Sequence, residues 1–92
     1  DICGDKGLSV GEESVITIDN INVNNSNLGI ASKDGSIANI FYAYIKDVNT
    51  CLGSYNIKQE FSGGNIKIKK FKCDNFIKES FVDEQSSVLI MN

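Results

Sequence analysis

The sequence predicts an all-β chain built from a repeat, and three observations predict it. The aliphatic residues are mostly Ile and Val, whose branched Cβ favours strands over helices. Short runs such as Val15-Ile16-Thr17-Ile18 and Ile21-Asn22-Val23 fit the alternating period of strands, and no stretch carries a convincing helical period. Similar segments return at shifts of 22 and 24, a period expected of a solenoid-type repeat.

The 92 residues suit a single unit, residues 1–92, with rungs over about 3–27, 28–51, 52–75 and 76–92. In the first rung Leu8 and Val10 make a short strand, Gly11 to Ser14 ("GEES") a turn, and Val15 to Val23 further alternating strand. The second rung follows by laying Gly7 over Gly29. Leu8 then meets Ile30, Glu12 meets Asp34, Ser14 meets Ser36, Val15 meets Ile37 and Ile18 meets Ile40. The third follows by a shift of 24, which puts Leu28-Gly29 on Leu52-Gly53. An insertion of about four residues, Glu60 to Gly63, then brings Gly64 to Ile68 under Ser36 to Ile40. The fourth places Gly53 on Ile77 and gives Val88-Leu89-Ile90 the part of Ile66-Lys67-Ile68.

Stacks of like residues are expected along this repeat: Val15 with Ile37 and Ile66, and Ile18 with Ile40 and Ile68. Proline is absent, so glycine and asparagine must make the corners. Asn27, Cys51 and Asn75 are expected at one corner position, and Asn25, Asn49 and Cys73 at another. Phe76, Phe81, Val88, Leu89 and Ile90 make the last rung bulky enough for a cap, whereas no cap precedes Cys3. The expectation is a C-terminal fragment of a longer solenoid, or a first rung covered by another subunit.

The segments "DKGLSVGEESVITI", "LGIASKDGSIANI" and "CLGSYNIKQEFSGGNIKI" resemble successive rungs of right-handed parallel β-helix repeat proteins, the pectate-lyase-like superfamily. The resemblance implies three to four rungs, each of three short strands pairing in parallel with the next rung. It also implies a bacterial-type parent and an extracellular or cell-surface setting. It leaves function open, because that superfamily includes lyases, hydrolases, epimerases, adhesins and inert spacers. Leucine-rich repeats need a Leu-x-x-Leu-x-Leu framework that is missing here. An antiparallel β-sandwich binding module is the competing fold, in which case the repeat is coincidental.

Composition narrows the chemistry. Nine lysines, with no arginine, face 12 acidic residues, a net charge of −3 that argues against non-specific nucleic-acid binding. Lys67, Lys69, Lys70 and Lys72 form a local basic run, taken as the solvated face of a strand. The apolar runs are far too short for a membrane span. No histidine is present, which removes His-dependent triads and the commonest general base. Polygalacturonase-like hydrolases use Asp-Asp and His motifs and pectate-lyase-like enzymes an arginine base, none of which this sequence has. No catalytic residue, metal-ligand set or cofactor is singled out.

Two constellations remain as ligand-binding candidates. Glu12 and Glu13, Asp34, Glu60, and Asp83 with Glu84 fall just after the first strand of each rung, giving one carboxylate per rung. Such a stripe could hold a calcium ion or do acid–base work on a sugar. The competing reading is a solvated turn screened by Lys33 and Lys58. The second set is Lys33, Tyr55, Lys58 and Phe61, with Tyr42 and Tyr44, where rings could stack on sugars and lysines attract uronate carboxylates. Its competing reading is Phe61 plugging the "KQEFSGG" loop and half-buried wall tyrosines. The odd count of three cysteines does not suggest a stapled scaffold, and Cys51 and Cys73 are taken as structural cysteines in different columns.

The functional expectation is a structural or interaction segment whose partner is the rest of its own chain, with contact to a polysaccharide. The alternative is the C-terminal part of a carbohydrate-active enzyme, a polysaccharide lyase or glycoside hydrolase, whose active site lies mostly outside these residues.

Overall fold

A computed structural model describes residues 2–58 and 60–92, with side chains from Lys6 onward. The side chain of Cys3 therefore lies outside the described part. The chain is all-β: β1 (Ile2–Val10), β2 (Val15–Lys33), β3 (Ile37–Tyr55), β4 (Asn65–Val82) and β5 (Ser87–Ile90). All five lie in one parallel sheet in the order β1-β2-β3-β4-β5. No helix occurs among the described residues, so none is long and apolar enough to cross a membrane.

The register fixes the repeat. Val15 lies opposite Ile37, Ile37 opposite Asn65, and Asn65 opposite Ser87, so the sequence offset is 22, then 28, then 22. The shorter offset is the repeat unit, and the longer step holds six extra residues between β3 and β4. Ile18, Ile40, Ile68 and Ile90 form one column, as the sequence led us to expect. The shift of 24 does not occur: Leu52 faces Ile30, not Leu28, and Phe81, not Ile77, faces Gly53. Likewise Ile66 stacks on Ala38, and Asn65 continues the column of Val15 and Ile37. The discrepancy lies before the insertion: Leu52-Gly53 imitates Leu28-Gly29 two residues out of place, so six inserted residues count as four, while Gly64–Ile68 still fall under Ser36–Ile40 as expected.

A 19-residue strand at about 3.3 Å per residue would reach roughly 60 Å, yet the longest dimension of the molecule is 34 Å. The long strands therefore bend. One bend sits at Asn25, Asp47 and Asn75, which share a register position and a left-handed backbone with φ of 58°, 57° and 56°. Asn and Asp tolerate that conformation better than other side chains, and Asn75 Nδ2 donates to Asp47 Oδ1 across 2.7 Å. The second bend falls at Asp19, Phe41 and Lys69, where the inward positions slip from the partly buried Ile16 and Ile18 to the buried Ile21 and Val23. Gly11–Ser14, Lys33–Ser36 and Asp83–Ser86 are matching tight turns, each closed by a serine N–H donating to the carbonyl three residues back.

The core is the inward side of β2 and β3: Ile21, Val23, Ile30, Ala38, Ile40, Ala43, Ile45, Val48 and Leu52, continued by Ile66 and Ile68. Burial of such side chains contributes about 1.5–3 kcal/mol each. A buried serine network lies beside it. Ser32 Oγ and Ser36 Oγ are 2.6 Å apart, and Ser36 Oγ donates to the Val10 carbonyl at 2.9 Å. Ser32 and Ser36 are thus interior groups satisfied by hydrogen bonds.

Cys51 and Cys73 form a disulfide, with Cα atoms 6.4 Å apart. They do lie in different columns, but those columns face each other across the interior. A Cβ on Gly7 would strike Val23, and one on Gly29 would lie 2.9 Å from Ile45 Cγ2. Gly29 and Ile45 are Gly7 and Val23 moved on by one repeat. Cys51 and Cys73 are the same pair moved on once more, with the inserted loop now lying between them. The disulfide is the third copy of one interior crossing.

Candidate functional site

The structure gathers the six residues singled out as ligand-binding candidates, Glu12, Lys33, Asp34, Tyr55, Lys58 and Glu60, at one corner around the inserted loop. The described residues of the loop, 56–58 and 60–64, lie between β3 and β4. Glu12 and Asp34 share a register position, but Asn56, not Glu60, comes next in it, and Glu84 follows. Glu60 stands exposed on the loop.

Asp34 is only 1% exposed. Its Oδ1 accepts the Ile57 N–H at 2.7 Å, the Lys58 N–H at 2.9 Å and Asn56 Nδ2 at 3.3 Å. The Lys58 amide does most to hold the Asp34 carboxyl below the ordinary value of 3.8, against the opposing effect of burial. Asn56 completes the brace, its two Nδ2 hydrogens shared among Asp34 and the loop carbonyls of Lys58, Phe61 and Ser62, all within hydrogen-bond range. At the loop's other side, Asp83 accepts from the Ser86 hydroxyl at 2.6 Å and from the Asn56 N–H at 2.7 Å, and its carboxyl too is held low, chiefly by Ser86.

Lys58 pairs with Glu12, both half-exposed, and this bond raises the Lys58 pKa. Lys33 and Tyr55 are register partners. The Tyr55 ring packs at 6.4 Å from Phe81. A polar cleft of about 710 Å³ opens between Asn56, Ile57 and Asp83–Gln85. Among the described residues, no group of three or more acidic or cysteine side chains is placed to hold a metal ion. The chemistry of this corner is that of a braced loop: its best-placed carboxylate is spent on loop amides.

A second surface is built by the register itself. On the outer side of the sheet, Asn20, Tyr42 and Lys70 form one column, and Asn22, Tyr44 and Lys72 the next. Moving from β2 to β4, each column runs from amide to phenol to ammonium. Phe41, Lys67 and Lys69 extend the same surface, with Lys69 Nζ 5.6 Å from the Phe41 ring centroid and Lys72 Nζ 5.6 Å from that of Tyr44. Tyr42 is 40% exposed. The Tyr44 hydroxyl donates to Asp74 at 3.1 Å, the main reason its pKa is raised. Beside Phe41 a shallow groove of about 290 Å³ runs past Asp19, Asn39, Lys67, Lys69 and Met91.

The charges segregate between these two surfaces. Stretches 15–24, 37–46 and 65–74 carry five lysines and two aspartates. The turns and loop at 11–14, 33–36, 55–64 and 83–86 carry six carboxylates and two lysines. A chain of net charge −3 thus presents a locally basic, aromatic face. The lysine run in the sequence looked like an ordinary solvated strand. Its alignment with Tyr42 and Tyr44 follows from the same offset that sets Gly64–Ile68 under Ser36–Ile40, carried on along β3 and β4.

No family model, curated protein or solved structure matches the chain.

Proposed function

We propose that the chain is an interaction segment of a right-handed parallel β-helix, of the pectate-lyase-like kind its rungs resemble, and that it contacts an acidic polysaccharide through the face of Phe41, Tyr42, Tyr44, Lys67, Lys69, Lys70 and Lys72. The regular parallel register and the bends supply the support for closing the sheet into a coil. The observation that carries the functional reading is the pair of in-register columns, Asn20–Tyr42–Lys70 and Asn22–Tyr44–Lys72.

Sugar rings present C–H faces that pack on aromatic rings, and uronate carboxylates pair with lysines. β3 contributes rings and β4 contributes cations, one strand spacing (about 4.8 Å) apart. A linear uronate polymer laid along the strands therefore meets both at once. The amides of Asn20 and Asn22 can serve its hydroxyls. A disulfide favours an oxidising compartment, consistent with an extracellular or cell-surface setting.

The test is calorimetric titration with polygalacturonate, a neutral glucan and duplex DNA, with and without calcium. Polygalacturonate should bind and weaken with salt, and the Lys70→Glu/Lys72→Glu double variant should lose at least about tenfold, or about 1.4 kcal/mol. Binding should not require calcium, and Glu12→Ala/Asp34→Ala/Glu60→Ala should act only through the loop. No binding to polygalacturonate, binding unmoved by the lysine variant, or equal binding to DNA would overturn the reading.

A further inference from the structure

We infer that the Cys51–Cys73 disulfide is a redox latch that keeps the lysine row of β4 in register with the aromatic row of β3. The inference starts from three equivalent crossings of the interior. Two of them are filled by glycine against an aliphatic side chain, Gly7 against Val23 and Gly29 against Ile45. Only the third is covalent, and its Cys73 end lies on a part of β4 that is paired on one side only. β5 pairs with Asn65–Ile68 alone, so among the described residues no strand lies beyond the Lys69–Val82 part of β4.

That part of β4 is held poorly by burial. Its inward residues Phe71, Cys73 and Ser80 are half-buried and Phe76 and Val82 exposed, where their β3 counterparts Ala43, Ile45, Leu52, Val48 and Ser54 are buried. Stretches with few buried apolar contacts and one-sided pairing open first. The disulfide joins this half-strand to Cys51, which is fully buried. Its two ends also differ in access: Cys73 is partly exposed and Cys51 is not.

A dithiol reductant can therefore attack Cys73 Sγ. The S–S bond breaks, and Cys51 leaves as a thiolate and takes up a proton. The reductant's second thiol then displaces Cys73 from the mixed disulfide, Cys73 is protonated, and the reductant departs as a cyclic disulfide. Two electrons and two protons pass to the protein. With the crossing open, Lys69–Val82 loses its anchor, and Lys70 and Lys72 leave their places beside Tyr42 and Tyr44. The consequence for ligand binding rests on the polysaccharide reading; the latch does not.

The experiment is amide hydrogen exchange on the intact chain, oxidised and then reduced with dithiothreitol, paired with polygalacturonate titration of the same samples. Reduction should speed exchange across Lys69–Val82 at least tenfold while β2 and β3 hold their protection. The Cys51→Gly/Cys73→Ile variant, which rebuilds the Gly29–Ile45 crossing without sulfur, should stay ordered over Lys69–Val82 and ignore dithiothreitol. Unchanged exchange on reduction, equal loss across β2, β3 and β4, or a persistent response in the double variant would overturn the latch. If exchange responds but polygalacturonate binds neither form, the latch stands and the polysaccharide reading falls. If polygalacturonate binds both forms equally while exchange responds, the regulatory consequence is overturned.

Discussion

β3 and β4 are successive copies of one repeat, paired residue for residue, and they end up in different surroundings. Ala43, Ile45, Val48, Leu52 and Ser54 of β3 are buried; opposite them Phe71, Cys73 and Ser80 are half-buried, and Phe76 and Val82 are 40% and 41% exposed. β3 has a neighbour along its whole length on both sides. β4 has one on both sides only over Asn65–Ile68, and there Ile66 and Ile68 are buried like their β3 counterparts. Burial in this sheet is therefore set by what lies on either side of a strand, more than by the strand's own pattern. Where the neighbour stops, a covalent crossing stands in for it.

The sharpest way to break this comparison is to cut a side chain from each strand. Leu52→Ala removes a fully buried side chain and should cost about 3 kcal/mol, in the range for buried Leu truncations. Val82→Ala, on the uncovered half of β4, should cost under about 1 kcal/mol. Urea denaturation of the oxidised protein measures both, and equal losses would erase the distinction between the strands.

Next in size is the disulfide. A crossing with a sequence separation of 22 should contribute about 3 kcal/mol by restricting the unfolded chain. Cys51→Ser/Cys73→Ser should lower the denaturation midpoint accordingly, and Cys51→Gly/Cys73→Ile should recover part of the loss through packing.

The loop corner yields a smaller, local effect. Asp34 and Asp83 both have carboxyls held below 3.8 by N–H and hydroxyl donors. The ionised forms are therefore favoured by folding. Their contribution is fully present above about pH 3.8 and is lost as pH falls through the lower folded values. Limited proteolysis should find the 56–64 loop resistant at pH 5 to 7, and an acid-active protease should cut it well below pH 3.8. Asp34→Ala should make the loop susceptible at neutral pH while the β2–β3 core survives. Resistance unchanged in Asp34→Ala would show that the carboxylate does not brace the loop. The smallest effect is expected at Glu12. Its pair with Lys58 is half-exposed, and pairs of that kind contribute little. Glu12→Gln should leave the thermal midpoint unmoved within error, and a clear drop would mean the pair fixes the loop.

The extent to which the sequence foretold this molecule differs along the chain. The first two copies of the repeat were legible, because Val15, Ile16, Ile18 and their partners Ile37, Ala38, Ile40 sit one unbroken repeat apart with nothing inserted. The third was displaced by two residues in its first half, because Leu52-Gly53 imitates Leu28-Gly29 while Leu52 stacks on Ile30; its second half, Gly64 to Ile68 under Ser36 to Ile40, was legible. That error carried into the columns. It set Glu60 in a carboxylate stripe, where Asn56 belongs, and it put Cys51 in the column of Asn27 rather than that of Gly29. The disulfide was illegible for a related reason. Cysteines in different columns look unpaired until the Gly7–Val23 and Gly29–Ile45 crossings show which columns face each other.

The contrast between the two strands is tested most directly by residue-resolved hydrogen exchange on the oxidised protein. Amides of β3 from Ala43 to Ser54 should exchange at least about tenfold more slowly than their β4 partners from Phe71 to Val82, with Ile66 to Ile68 protected like β3. Uniform protection along the whole of β4 would contradict the account, because it would mean that the uncovered half of the strand is held as firmly as the covered one.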